Sequence, residues 1–206
     1  MKHSLPIFYL ALCLFFSSCA SIFHSIDPQK IPFSYTENNA DVQFSYAYDV
    51  LALKGNKKYL KKEIKNGMRV VAVRITNNSP QALQLNENLK LIVGINQATP
   101  IDPIIVSKDI KQGTWIYLLY TPLTLTFSST TTNSYGYIEP KNTSVFPIGP
   151  FIAAGNLLLA HSSNQNFRKE LNKFNLLGKR IEPGQTVYGL ITLHSLTAEP
   201  IKFEIQ

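Results

Sequence analysis

The stretch VQFSYAYDV, residues 42–50, decides how the rest of the chain is read. Val42, Phe44, Tyr46, Tyr48 and Val50 share one parity, while Gln43, Ser45 and Asp49 share the other. Side chains alternate across a strand with period two, so this pattern specifies a half-buried strand with one apolar face. The same logic repeats in RVVAVRI (69–75), ALQL (82–85), LKLIV (89–93), TVYGLITL (186–193) and IKFEI (201–205). Turn-formers separate these runs. NNSP occupies 77–80, and EPGQ at 182–185 puts Pro and Gly at the two centres of a type II turn that leads into TVYGLITL. Short alternating strands punctuated in this way predict a mainly β fold, a sandwich of antiparallel sheets.

One helix interrupts the β pattern, over about 163–177. Phe167, Leu171 and Phe174 recur at helical spacing, Ser162 with Gln165 forms a capping box, and Gly178 is placed to close the C-terminus. Its apolar face is expected to lie on the sandwich. Between strands and helix lie two apolar runs, WIYLLYTPLTLTF (115–127) and VFPIGPFIAAGNLLLA (145–160), around the polar SSTTTNSYGYIEPKNTS. Each is shorter than the ~20 residues of a spanning helix and each contains proline. They read as an inserted apolar region, about 113–177 with the helix. One reading is a buried hairpin or helix that completes the core. The other is a flap that meets a partner or the bilayer interface, with Trp115, Tyr117 and Tyr120 as interfacial aromatics.

Twenty Lys and Arg against 13 Asp and Glu give a formal charge of +7, and the excess is local. Lys54, Lys57, Lys58, Lys61, Lys62, Lys65 and Arg69 face the single Glu63 within residues 54–69. If this stretch is helical, Lys57, Lys61 and Lys65 share a face; if stranded, the lysines flank Tyr59 at a solvated hairpin or sheet edge, where they discourage strand addition. Lys57, Lys58, Lys61 and Lys62 are also candidate contacts for anionic lipid headgroups, worth about 1 kcal/mol per lysine near such a surface. Nothing interleaves aromatic and basic residues as a nucleic-acid module would, so no nucleic acid is expected as a partner.

The sequence offers little chemistry. His3, His24, His161 and His194 have no metal-ligand spacing, and no metal or small cofactor is expected. AHSS and LHSL set serine beside histidine, but neighbours on a strand point to opposite faces. There is no nucleophile elbow, P-loop or dinucleotide fingerprint. Asp49, Asp102, Asp109 and Glu139 are the carboxylates that tertiary structure would have to gather, and the chain is expected not to be an enzyme.

At the N-terminus, Lys2, the apolar stretch Leu5–Phe16 and Ser17-Ser18 have the build of a secretory signal. Phe16-Ser17-Ser18-Cys19 resembles the lipobox of bacterial lipoproteins, in which the cysteine is acylated and becomes the first residue after cleavage. That resemblance implies a signal peptide at 1–18 and lipid on Cys19; the two prolines and the turn-formers that follow read as a tether, 19–41, partly docked through Phe33 and Tyr35, ahead of a β-sandwich domain over 42–206. Cys19 would carry a diacylglyceryl group and an N-acyl chain, several chains being needed for stable attachment. Cys13 would leave with the leader, so Cys19 would be the only cysteine retained. Ala20, in place of an aspartate after the cysteine, points to the outer membrane, facing the periplasm or the cell surface. The alternating strands and IEPGQTVYGLI are similar to the immunoglobulin-like β-sandwich domains of bacterial envelope lipoproteins. The expected function is a non-catalytic interaction or scaffold module with an envelope protein as partner. The alternative is a membrane-surface or lipid-binding module that uses the apolar insertion and the Lys54–Lys65 cluster, and a hydrolase stands as the distant third.

Overall fold

The computed structural model describes residues 19–38 and 41–205; the signal-peptide and lipobox positions before Cys19 lie outside them. In chain order the elements are β1 (Tyr35–Asn38), β2 (Val42–Ala47), α1 (Val50–Leu53), α2 (Lys57–Lys65), β3 (Met68–Asn77), β4 (Leu83–Gln84), β5 (Leu89–Val93), β6 (Asn96–Ala98), α3 (Pro103–Asp109), β7 (Leu125–Thr132), β8 (Ile138–Phe146), α4 (Gly149–Lys173), β9 (Arg180–Ile181), β10 (Thr186–His194) and β11 (Ile201–Ile205). Pro28–Lys30 and Trp115–Tyr120 are 3-10 turns. Strand exceeds helix, every named strand pair is antiparallel, and the chain divides into two compact units.

The larger unit holds residues 22–112 and 163–206. Its main sheet has the order β1-β2-β3-β10, and beside it are a three-stranded sheet, β11-β5-β6, and the short pair β4-β9. One face of the main sheet supplies Val42, Phe44, Tyr46, Val71, Val73 and Ile75 to a core shared with Leu89, Leu91 and Ile201 of the second sheet. The opposite face supplies Ala47, Val70, Ala72 and Leu190 to a second core with Tyr59, Val106, Phe167 and Leu171. Strand β3 is therefore buried on both sides, which is why RVVAVRI is almost continuously apolar. VQFSYAYDV follows its predicted parity as far as Tyr48. At Asp49 the backbone turns left-handed, φ 57° and ψ 30°. The strand ends at Ala47, and Val50 opens α1 and joins the second core instead.

Two expectations are corrected in this unit. The segment read as a tether over 19–41 is built into the fold from Ile22 on. Phe23, Ile26 and Ile31 are buried, and β1 pairs with β2 from Tyr35↔Tyr46 to Asn38↔Gln43. Asn56 clamps its backbone by accepting from His24 N (2.9 Å) and donating to His24 O (2.7 Å), and Glu170 accepts from Ile26 N (3.1 Å). The prolines and polar residues that suggested a linker are the turns between those apolar anchors. The single helix predicted at 163–177 is one of four α-helices among the described residues, and it begins at Gly149 and ends at Lys173. Ser162 and Gln165 lie inside it, and the buried Ser163 accepts from Phe23 N instead (3.3 Å). The run of Ala and Leu upstream, opened by Pro150 in the first turn, propagates helix through the local capping signal.

Among the described residues the smaller unit holds 19–21 and 113–162. Its core is a cluster of Tyr117, Tyr120, Ala153 and Ala160, with Ala20, Leu123 and Ile152 against it. The β7–β8 hairpin projects from this cluster, paired from Leu125↔Phe146 to Thr132↔Ile138. Asn133 closes the loop, its Oδ1 accepting from Tyr135 N (3.1 Å) and Tyr137 N (2.9 Å), while Gly136 takes the left-handed φ of 83°. The polar SSTTTNSYGYIEPKNTS stretch is thus most of two strands and their turn, which its β-branched threonines and Asn/Gly loop encode.

Candidate functional site

The smaller unit keeps an unusual amount of apolar surface in water. Every residue of β7 is exposed. Trp115 is 79% exposed and Leu119 71%, and Phe127, Val145, Phe151 and Leu158 are also exposed. At the hairpin tip Tyr135, 86% exposed, stands with Tyr137 and Ile138. Phe146 and Phe151 stack on each other, centroids 5.9 Å apart, while both remain open to solvent. Of the three aromatics singled out as interfacial, only Trp115 is outward. Tyr117 and Tyr120 are 1% and 8% exposed. The 3-10 turn puts three residues in each revolution, so Tyr117 and Tyr120 share the inner side and pack on α4. The Phe127 and Tyr135 contributions were missed in the sequence because the Ser/Thr run hides the hairpin that displays them.

Cys19 is exposed and belongs to this same unit. The next residue is pinned: Ala20 N donates to Asn156 Oδ1 (2.7 Å), and Asn156 Nδ2 donates to Ile152 O (2.9 Å) one turn earlier in α4. Gly149 allows the helix to start where it does. A Cβ there would stand 2.1 Å from Tyr120 O and 2.4 Å from Thr121 O, and Gly149 N donates to Leu123 O (2.8 Å).

The lysine cluster takes the helical alternative as α2. Tyr59 and Glu63 face inward, Lys57, Lys61 and Lys65 are exposed, and Lys58 and Lys62 are half-buried. Tyr59 Oη donates to Asn164 Oδ1 (3.1 Å) and accepts from Gln112 Nε2 (3.2 Å). Glu63 Oε1 accepts from Val70 N (2.6 Å), and Oε2 has no hydrogen-bond partner among the described residues. Burial pushes the Glu63 carboxyl up to about 7, against the lowering effects of the Val70 N–H and Arg69. The one acidic group in the cluster is thus turned away from the lysines' outer face.

Among the described residues, Asp49 and Asp102 have separate partners. Asp49 pairs with Arg69 (3.1 Å), and Asp102 caps α3 by accepting from Ile104 N (2.6 Å). The Asp109 carbonyl accepts from Asn66 Nδ2 (2.9 Å), and the Glu139 side chain lies outside the description. Among the described residues no group of three or more His, Cys, Asp or Glu is placed to hold a metal ion. A cavity of about 510 Å³ in the larger unit gathers His194, Ser195, Thr197 and Glu199 with Asn96 and Thr99. Two of its hydroxyls bond within their own loop: Ser195 Oγ donates to Thr197 O (2.5 Å), and Thr197 Oγ1 donates to Glu199 Oε1 (3.0 Å). The serine proton is therefore directed at a carbonyl rather than at an imidazole. Among the described residues, no helix is long and apolar enough to cross a membrane. The chain matches no family model, no curated protein and no solved structure.

Proposed function

We propose that this chain is a lipid-anchored cell-envelope protein, acylated on Cys19, that works as a non-catalytic interaction module. In this reading residues 1–18 are a signal peptide and the anchored protein faces the periplasm or the cell surface from the outer membrane. The larger unit is the scaffold, an immunoglobulin-like sandwich in which the four-stranded sheet faces the three-stranded one across a common core. The smaller unit is the working surface. The observation that carries this reading is that the unit containing Cys19 leaves Trp115, Leu119, Phe127, Tyr135 and Phe151 in water. Soluble monomers seldom leave contiguous apolar patches uncovered, and such patches mark interaction sites.

Expression of the full chain in a bacterium, with mass spectrometry of the membrane-extracted product, tests the anchor. The expected product begins at Cys19 and carries the added mass of its acyl chains, and Cys19→Ser loses both that mass and its detergent-phase partitioning. A mature chain with an unmodified Cys19 overturns the reading.

A further inference from the structure

We infer that the exposed apolar surface of the smaller unit rests on the lipid bilayer itself, at the headgroup interface, so that anchor and protein surface grip one membrane. The inference rests on the lipid-anchored reading and supplies its partner, a zwitterionic lipid surface. Charge is the first support. From Gly113 to Ser162 the only Asp, Glu, Lys or Arg residues are Glu139 and Lys141. A surface made only for water carries roughly 25–35% charged residues. Charged side chains are the ones a membrane rejects most strongly. Residue type is the second. Trp115, Tyr135 and Tyr137 stand outward, and Trp and Tyr favour the headgroup level because their rings are apolar and their N–H or O–H stays wet. Position is the third. The Ala20–Asn156 hydrogen bond holds the residue after Cys19 against the stretch of α4 that bears Phe151 and Leu158. Acyl chains on Cys19 therefore leave from the unit that carries the apolar side chains.

Depth follows from the backbone. Strands β7 and β8 pair only with each other among the described strands, and their middles are Ser, Thr and Asn with Lys141. Hydrocarbon does not tolerate open strand edges, so the hairpin belongs in the interface, where water still reaches them.

Trp115 is the only tryptophan of the chain, so its emission reports on this surface directly. The test uses residues 19–206 with Cys19→Ser, the span that contains all described residues, mixed with phosphatidylcholine vesicles at low and high salt. A blue shift at both salt concentrations, flotation with the vesicles and retention of an entrapped dye are expected. The triple variant Leu119→Ser, Phe127→Ser, Phe151→Ser changes only exposed side chains. It should keep the parent's circular dichroism and lose about a hundredfold in vesicle partitioning. Binding only to anionic vesicles, reversed by salt, would assign attachment to the α2 lysines and overturn the inference. Emission already blue-shifted without lipid and reddening on dilution would overturn it in favour of a second copy, and dye release would overturn the interfacial placement. An acylated Cys19 product whose unacylated form ignores vesicles removes this inference and leaves the anchor. Vesicle binding together with an unacylated native Cys19 removes the anchor and leaves the surface.

Discussion

Glu63 is the residue whose state most affects the larger unit. Its carboxyl is buried beneath α2 with one oxygen satisfied by Val70 N and the other without a partner among the described residues. Burial raises it from an ordinary 4.5 to about 7. Between those values the folded chain holds a proton that the unfolded chain has lost, so stability falls as pH rises through that window and is level above it. The total loss is on the order of 3 kcal/mol. Glu63→Gln keeps the shape without the charge. Urea denaturation should show its stability flat from pH 5 to pH 8, and above the wild type's at pH 8; parallel profiles for the two proteins would show that Glu63 is not the titrating group. Asn77 is the second such residue, fully buried, donating to Gln81 O (2.8 Å) and Ile181 O (2.9 Å) and accepting from Ser79 N (3.0 Å). Asn77→Ala strands those groups without partners and should cost about 2–4 kcal/mol in the same assay.

At the scale of elements, the start of α4 is held by space rather than by a cap. Gly149→Ala drives a Cβ into the backbone at Tyr120 and Thr121, which no side-chain rotation relieves. Hydrogen exchange across residues 113–162 should accelerate in this variant, beginning at the Tyr117–Tyr120 turn; unchanged protection there would mean the turn has room to shift. Helix α2 carries a different tension. Lys57, Lys61 and Lys65 are spaced i, i+4 on its exposed face, and like charges at that spacing repel. Lys61→Glu converts two repulsive pairs into attractive ones and should raise stability by about 0.5 kcal/mol, read from the denaturation midpoint.

For the molecule as a whole, the N-terminal segment makes the sharpest distinction. A tether can be removed without harm. Phe23, Ile26 and Ile31 are instead part of the second core, with the Phe23 ring edge-on to Tyr59 and to Phe167, centroids 5.4 Å apart in each case. Withdrawing three buried side chains costs about 5–9 kcal/mol, as much as the whole stability of many domains. A chain starting at Ser34 should therefore lack a cooperative melting transition, whereas near-normal melting would return the segment to the status of a linker.

Features that depend on neighbours in the chain are legible without the fold. Period-two alternation reveals β2, β5 and β11, because a strand with a buried face repeats its apolar residues locally, while β3 and β10, covered on both faces, show as near-continuous apolar runs. Helical spacing reveals the Phe167–Phe174 stretch for the same reason. The lipobox likeness at Cys19 is also local, being a matter of four adjacent residues. Which apolar residues are buried depends on contacts between distant segments. Within WIYLLY, Trp115 and Tyr117 are equally apolar on paper, yet one faces water and the other α4, because the Gly149 crossing fixes which side of the turn is covered. The lysine stretch was open between strand and helix until Tyr59 found Asn164 and Gln112, partners about 50 or more residues away. The hairpin at 125–146 stayed hidden because its strands have no buried face to impose a period. That surface, exposed on the unit that contains Cys19, is where function is proposed, and burial is a property of the folded chain that no short window of residues contains.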